Sequence, residues 1–240
     1  MPASLKDRYQ KWAAPILDEI AAAEEAGKPG EEIWHLKRKL GIGGSEVGSI
    51  LGANKYTSRH QLWEKKMGIA EPFSGNLATK IGHLLEPTVA DEYAFRTGNK
   101  VEVDETHYQS ETDPWLVGNI DRKITFKDGS TGVLECKTAS MPTDDWGDGN
   151  LYGVNGEILS ADSQVPDAYY FQCFHYMNLL KCNQVDLCVL FLINKEVRIY
   201  TIKRDERLIG LIKRRVEKFF WENIVEGKEP EKSAAEVNKI

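Results

Sequence analysis

The sequence is short of cysteine: four residues, Cys136, Cys173, Cys182 and Cys188, stand among 240, and none pairs as CxxC. That spacing speaks against a zinc site and is unlike the usual ferredoxin runs, although a four-cysteine iron–sulfur site stays open. In a reducing compartment these thiols are expected to be free and packed in the core. No apolar run approaches the length of a membrane span. The opening "MPASLKDRYQKWAAPI" lacks the apolar core of a signal peptide, so the expected location is the cytoplasm. No GxxxxGK[ST] motif occurs, so no ATP-driven motor is expected. There are no repeats, no low-complexity block and no Pro/Ser linker, and residues 1–240 read as one domain. Positive charge is not in excess, with 31 Lys and Arg against 37 Asp and Glu and a net charge of −6. A uniformly basic nucleic-acid binder is thereby disfavoured, but local clusters decide such binding. Those clusters are "LKRK" at 36–39, "EKK" at 64–66, "DRK" at 121–123 and "KRR" at 213–215. Each taken singly reads as a solvated face.

What is present is a 41% hydrophobic chain, enough to bury a substantial core. An Ala- and Glu-rich helix is expected over 4–26 and a short one over 31–39, so that 1–35 form a helical extension. "GIGGSEVGSILG" reads as a Gly-rich turn entering a helix, with Ser45 as its N-cap. Helices follow over 58–67 and 75–98, the second broken or kinked at Pro87. The period then changes. "KVEVDETHYQS", "PWLVGNIDRKITF" and "STGVLECKTAS" alternate like strands, with "KDGS" as the hairpin turn between the last two. Residues 140–164, polar and Gly-rich, read as a long mobile loop. Its Asp144, Asp145 and Asp148 lack the spacing of a calcium loop. An aromatic helix over 166–182, two strands around "NKE", an amphipathic helix over 205–226 and a frayed tail over 227–240 complete the chain. Helices, strands, then helix, hairpin and helix predict an α/β (α+β) fold with a central mixed sheet flanked by helices.

Within the strands, "LECK" places Glu135 and Lys137 two apart, hence on one face. Asp121 lies on the preceding strand, one hairpin away, where it can face Glu135 across the ladder. Side-by-side carboxylates repel and destabilise a sheet, and a divalent cation turns that repulsion into binding. Hard oxygen donors suit Mg²⁺ or Mn²⁺. An ammonium beside them would hold a water or neutralise charge developing on a phosphate. The competing interpretation is a solvated hairpin face.

The pattern "GNID…GVLECKT" resembles the PD-(D/E)xK nuclease superfamily. "GIGGSEVGSILGANKYTSRHQLWEKKMG" and the acidic motif "KIGHLLEP" resemble the lambda-exonuclease and YqaJ viral recombinase family, and "FQCFHYM" fits the Q-x-x-x-Y motif of RecB-like nucleases. The motifs stand in the family's order over about residues 36–203. The resemblance implies a restriction-endonuclease-like core. It makes Asp121, Glu135 and the carbonyl of Cys136 metal ligands, with Glu86 a further one. Lys137 is the implied catalytic lysine, supported by Gln172 and Tyr176. His83 is a possible ligand or a plain helix-face histidine. Arg38 and Ser45 match a pair that grips a DNA 5′-phosphate, and they could equally be a solvated charge and an N-cap. The implied cofactor is Mg²⁺, with Mn²⁺ able to substitute and two ions in the site.

The implied activity is 5′-to-3′ digestion of one strand of a DNA duplex, leaving 3′ overhangs for phage-type recombination by strand annealing. The implied partners are duplex DNA ends, two further copies of the chain in a homotrimeric ring, and a single-strand annealing protein. The setting would be a phage or prophage protein in a bacterial cytoplasm. Two other interpretations stay open: a RecB-like endonuclease or nickase without a ring, and a non-catalytic DNA-binding module.

Overall fold

Capping side chains set where the helices begin. The computed structural model describes residues 4–70 and 75–232. Helix α1 (Leu5–Glu25) opens on a reciprocal Ser4–Asp7 box, and α2 (Gly30–Lys39) follows. After α3 (Gly44–Ile50), α4 (Arg59–Lys66) starts on Ser58, whose hydroxyl accepts from Gln61 N at 3.1 Å while Gln61 returns to Ser58 N at 2.9 Å. Helix α5 (Leu77–Thr97) starts on Asn76 and ends at Gly98, whose φ of 68° favours glycine.

The strands are β1 (Lys100–Val103), β2 (Tyr108–Gln109), β3 (Val117–Gly118), β4 (Arg122–Thr125), β5 (Thr131–Ala139), β6 (Leu151–Tyr152) and β7 (Ile158–Ser160). Helix α6 (Asp167–Leu180), β8 (Gln184–Phe191), β9 (Glu196–Lys203) and α7 (Glu206–Phe219) complete the order, and α7 runs into a π-helical turn over Phe220–Val225. The amphipathic helix expected over 205–226 therefore changes its winding in its last third.

Five strands form a mixed sheet in the order β1-β4-β5-β8-β9. The β4–β5 hairpin turns at Asp128–Gly129–Ser130, where Asp128 Oδ1 accepts from Ser130 N at 2.9 Å. Strand β5 pairs with β8 in parallel, and α6 is the crossover that a parallel pair requires. Alternation along β5 sends Val133 into a core shared with α6, α7 and α1 (Phe174, Val216, Ala13), and sends Leu134 and Cys136 into a second core under α5 (Val89, Ala90, Tyr93). Glu135 and Lys137 thus share the α6 side with Val133. The cysteines are free, with Cys136, Cys173 and Cys188 buried.

Three expectations are corrected. Of the break or kink expected at Pro87, the break does not occur, and α5 continues through it. Both Pro87 and His83, whose carbonyl loses its helical donor, are exposed, so water can satisfy that acceptor. Residues 140–164 are not a structureless loop. They contain the β6–β7 ribbon, and Trp146 packs against Phe191 and Tyr200. Gly147 N donates to Gln164 O at 2.9 Å, closing the base of the segment. The tail is not frayed at its start: Glu229 Oε1 meets His60 Nε2 at 2.7 Å, and Asn223 Nδ2 donates to Lys228 O at 2.6 Å. Residues 233–240 of that expected tail lie outside the described residues. Among the described residues, no helix is long and apolar enough to cross a membrane.

Candidate active site

The ladder pairs Arg122 with Leu134, so Asp121, one residue earlier, stands opposite Glu135. Asp121 Oδ2 accepts from the backbone N–H of Cys136 at 2.8 Å, which locks the two strands together at this point. Glu135 is 1% exposed. Its Oε1 ion-pairs with Lys137 Nζ and accepts from Gln172 Nε2 at 2.5 Å. Gln172 Nε2 also donates to Tyr176 OH at 3.0 Å, one helical turn along α6. Lys137 Nζ lies 5.8 Å from the ring centre of Tyr169, one turn before Gln172 on the same helix. Three residues at helical spacing on α6, 169, 172 and 176, therefore back the Glu-x-Lys pair. Tyr169 was missed from the sequence, although its spacing from Gln172 was the available signal.

Burial first, and then the negative charge of Asp121, push the Glu135 carboxyl up to about 7, against the pull of Lys137 and Gln172. Burial alone would lower Lys137, but the charges of Glu135 and Asp121 outweigh it, so the ammonium is held well above its ordinary value. The second oxygen of Glu135, Oε2, is buried and has no hydrogen-bond partner. A buried carboxylate oxygen without a donor, facing a second carboxylate, is costly unless a proton or a cation completes it. The donors here, Asp121 and Glu135, therefore fit a hard divalent ion.

The other members of the implied ligand set lie on neighbouring elements. Glu86 is on α5, the helix covering the other face of β5, and its Oε1 accepts from Arg122 Nη1 at 2.5 Å. The same Arg122 nitrogen donates to Asp121 O at 2.6 Å, so Arg122 links Glu86 to the site. Cys136 meets Asp121 through its N–H, and His83 is exposed on α5. Among the described residues, no group of three or more His, Cys, Asp or Glu side chains is arranged to hold a metal. Arg122 lay inside the "DRK" cluster, and its burial at 8% exposed was not legible there.

Arg38 and Ser45 occupy the adjoining corner. Ser45 is exposed and is not the N-cap. Gly43 is, and Ser45 lies in the first turn. Helix α3 is glycine-rich for a packing reason. A Cβ on Gly44 would lie 2.8 Å from the Tyr176 ring and 3.2 Å from Gln172 Cγ, and one on Gly48 would lie 2.9 Å from Ala168. The glycines let α3 rest directly on α6. Backbone bonds from Ile42 N to Trp115 O (2.7 Å) and from Val117 N to Ile42 O (3.1 Å) tie this corner to the strand leading to Asp121.

Arg38 stacks 4.7 Å over Trp34, and its Nη2 donates to Glu46 Oε1 at 3.0 Å. Glu46 Oε2 accepts from Gly43 N at 2.8 Å and pairs with Lys66 Nζ at 2.9 Å. Burial pushes Glu46 up, but Lys66, Arg38 and the Gly43 N–H together hold it down at about 2. Lys66, read from "EKK" as a solvated cation, has an 8% exposed side chain.

The family profile described as the YqaJ-like viral recombinase domain matches residues 33–182. The Bacillus subtilis (strain 168) protein YqaJ is 31% identical over 201 residues, which are 82% of this chain, and the match spans 57% of that relative's length. Among solved structures, the alkaline exonuclease LHK-Exo from Laribacter hongkongensis superposes with a TM-score of 0.58 at 19% identity, over 82% of this chain and 93% of that one. A phage-related exonuclease from Haemophilus somnus 129PT superposes with a TM-score of 0.55 at 17% identity, over 78% and 96%. LHK-Exo has also been solved in complex with dAMP, with a TM-score of 0.58. These structures share the fold of this chain. By its profile match and its relative, the chain belongs to the YqaJ-like viral recombinase family.

Proposed function

We propose that this protein is a divalent-metal-dependent deoxyribonuclease that digests one strand of linear duplex DNA from its 5′ end. The observation that carries the reading is the group at the middle of β5. Glu135 is fixed at one oxygen by Lys137 and Gln172, its other oxygen is buried without a partner, and Asp121 stands opposite. Asp121 and Glu135 would hold Mg²⁺, or Mn²⁺ in its place, and the ion supplies Lewis acidity toward the scissile phosphate and the attacking water. Gln172 keeps Glu135 Oε1 occupied, which leaves Oε2 for the cation. Lys137 stays an ammonium between two carboxylates, so it acts as a cation, orienting water and neutralising the charge that builds on the phosphate. Water attacks phosphorus in line and the bond to the 3′ oxygen breaks, releasing 5′-mononucleotides. LHK-Exo, with the same fold, is described with dAMP bound, the kind of product this reaction yields.

Processive digestion without an ATP motif calls for topological hold on the DNA. The reading therefore includes a homotrimeric ring and a single-strand annealing partner that takes the 3′ overhang, in keeping with the family's description as a recombinase. The test is digestion of matched linear and covalently closed duplexes with Mg²⁺ or with chelator. Mononucleotide release from the linear substrate alone, abolished by chelator and by Glu135→Gln, is the expected result. Cleavage of the closed circle would replace the reading with an endonuclease, and no Mg²⁺-dependent cleavage of either would remove it.

A further inference from the structure

A lysine ammonium has three donors, and Lys66 uses all of them: on Glu46 Oε2 (2.9 Å), on Arg38 O (2.8 Å) and on Gly41 O (2.6 Å). Its side chain is 8% exposed. It has no donor left for a ligand, and its burial is costly, so its effect must be exerted through its neighbours. The neighbour that matters is Glu46. A free carboxylate beside an arginine normally takes two parallel N–H bonds from the guanidinium fork. Here Glu46 Oε2 is already filled by Lys66 and by Gly43 N, so Arg38 gives Glu46 one N–H, from Nη2 to Oε1 at 3.0 Å. Trp34 supports the guanidinium from its face at 4.7 Å, and Trp34 Nε1 is itself anchored on Asn119 Oδ1 at 3.1 Å. Among the described residues, the remaining Arg38 N–H donors have no acceptor, and the side chain is 30% exposed.

The corner also abuts the chemistry. A Cβ on Gly43 would lie 3.8 Å from Arg38 Nη2, and one on the next residue, Gly44, would touch Gln172 and Tyr176, which back Glu135. We propose that Lys66 is a positioning residue: by saturating Glu46 Oε2 it keeps Arg38 singly bonded and its other donors free for a terminal phosphomonoester on DNA. This rests on the reading of Arg38 as a contact to the DNA 5′ end. It adds the device that keeps an ionised neighbour from capturing the arginine.

The test measures binding in chelator, independent of cleavage. Hairpin-capped duplexes with either a 5′-phosphate or a 5′-hydroxyl are titrated by fluorescence anisotropy. The wild type is expected to prefer the phosphate about ten- to hundredfold, the range for one charge-assisted contact. Lys66→Met frees Glu46 Oε2 to take a second Arg38 N–H and should cut the preference at least fivefold. Adding Glu46→Gln to Lys66→Met removes the capturing charge and should restore most of it, a non-additive result. The double variant buries no unpaired charge, so it also carries the test if Lys66→Met fails to fold. Equal affinities for the two wild-type duplexes would overturn the Arg38 reading, and this inference with it. A wild-type preference that survives Lys66→Met unchanged, or that the double variant does not recover, would overturn the inference alone.

Discussion

At the residue scale, Lys137 and Glu135 make opposite demands on stability and on chemistry. Lys137 is held cationic by Glu135 and Asp121, and as one electrostatic stabiliser its loss should be felt in the transition state. Lys137→Ala is expected to lower kcat by about 10²–10³ while leaving duplex affinity in Ca²⁺ nearly unchanged. A loss of affinity as large as the loss of rate would reduce it to a phosphate clamp. Glu46 offers a pH test. Its native value of about 2 lies below the ordinary 4.5, so its contribution to stability is complete above about pH 4.5 and disappears as pH falls toward 2. Burial pushes its partner Lys66 down, which takes back part of that gain. Urea unfolding should show Glu46→Gln less stable than wild type by on the order of 1–3 kcal/mol at pH 7, with the gap closing below pH 3. A gap that does not vary with pH would mean that the carboxylate charge is not what stabilises this corner.

At the scale of elements, the contact between α3 and α6 ties packing to the proposed catalytic group. Gly44 and Gly48 lie one turn apart and both face α6, but they touch different residues, Tyr176 and Gln172 in one case and Ala168 in the other. Either alanine substitution overpacks the contact and should cost about 1–2 kcal/mol of stability, after allowing for the helix-forming gain of alanine. Only Gly44→Ala displaces the glutamine bonded to Glu135, so the two variants should part in activity. Gly44→Ala is expected to lose rate well beyond its loss of folded fraction, and Gly48→Ala is not. Thermal melts paired with initial rates at a temperature where both are folded would show it. Parallel losses of rate would break the proposed coupling.

At the scale of the whole molecule, the proposed function raises the question of how an acidic chain would hold DNA. A net charge of −6 is compatible with binding if cations line one channel and anions face outward, the arrangement a ring allows. Sedimentation of the full chain is expected to give three times the 27.1 kDa monomer mass. A monomer that still digests linear DNA processively would eliminate the ring and leave processivity without its cause.

How much of this was legible in the sequence depends on the reach of each interaction. The strand periodicity, the hairpin and the spacing of Asp121, Glu135 and Lys137 come from alternation within a few residues, and so does the Gln172–Tyr176 turn of α6. The sequence alone determined these, because backbone geometry dictates which neighbours share a face. The partners across the chain were decided only by tertiary structure. Glu86 is engaged by Arg122, 36 residues away. Lys66 is buried on carbonyls 25 and 28 residues earlier. Ser45 is left exposed because Gly43 takes the cap, and the stretch after 140 is packed against the sheet because Trp146 finds Phe191 and Tyr200. A charged or polar residue in a local pattern looks the same whether water or a distant side chain will satisfy it, and only the packed chain makes that choice.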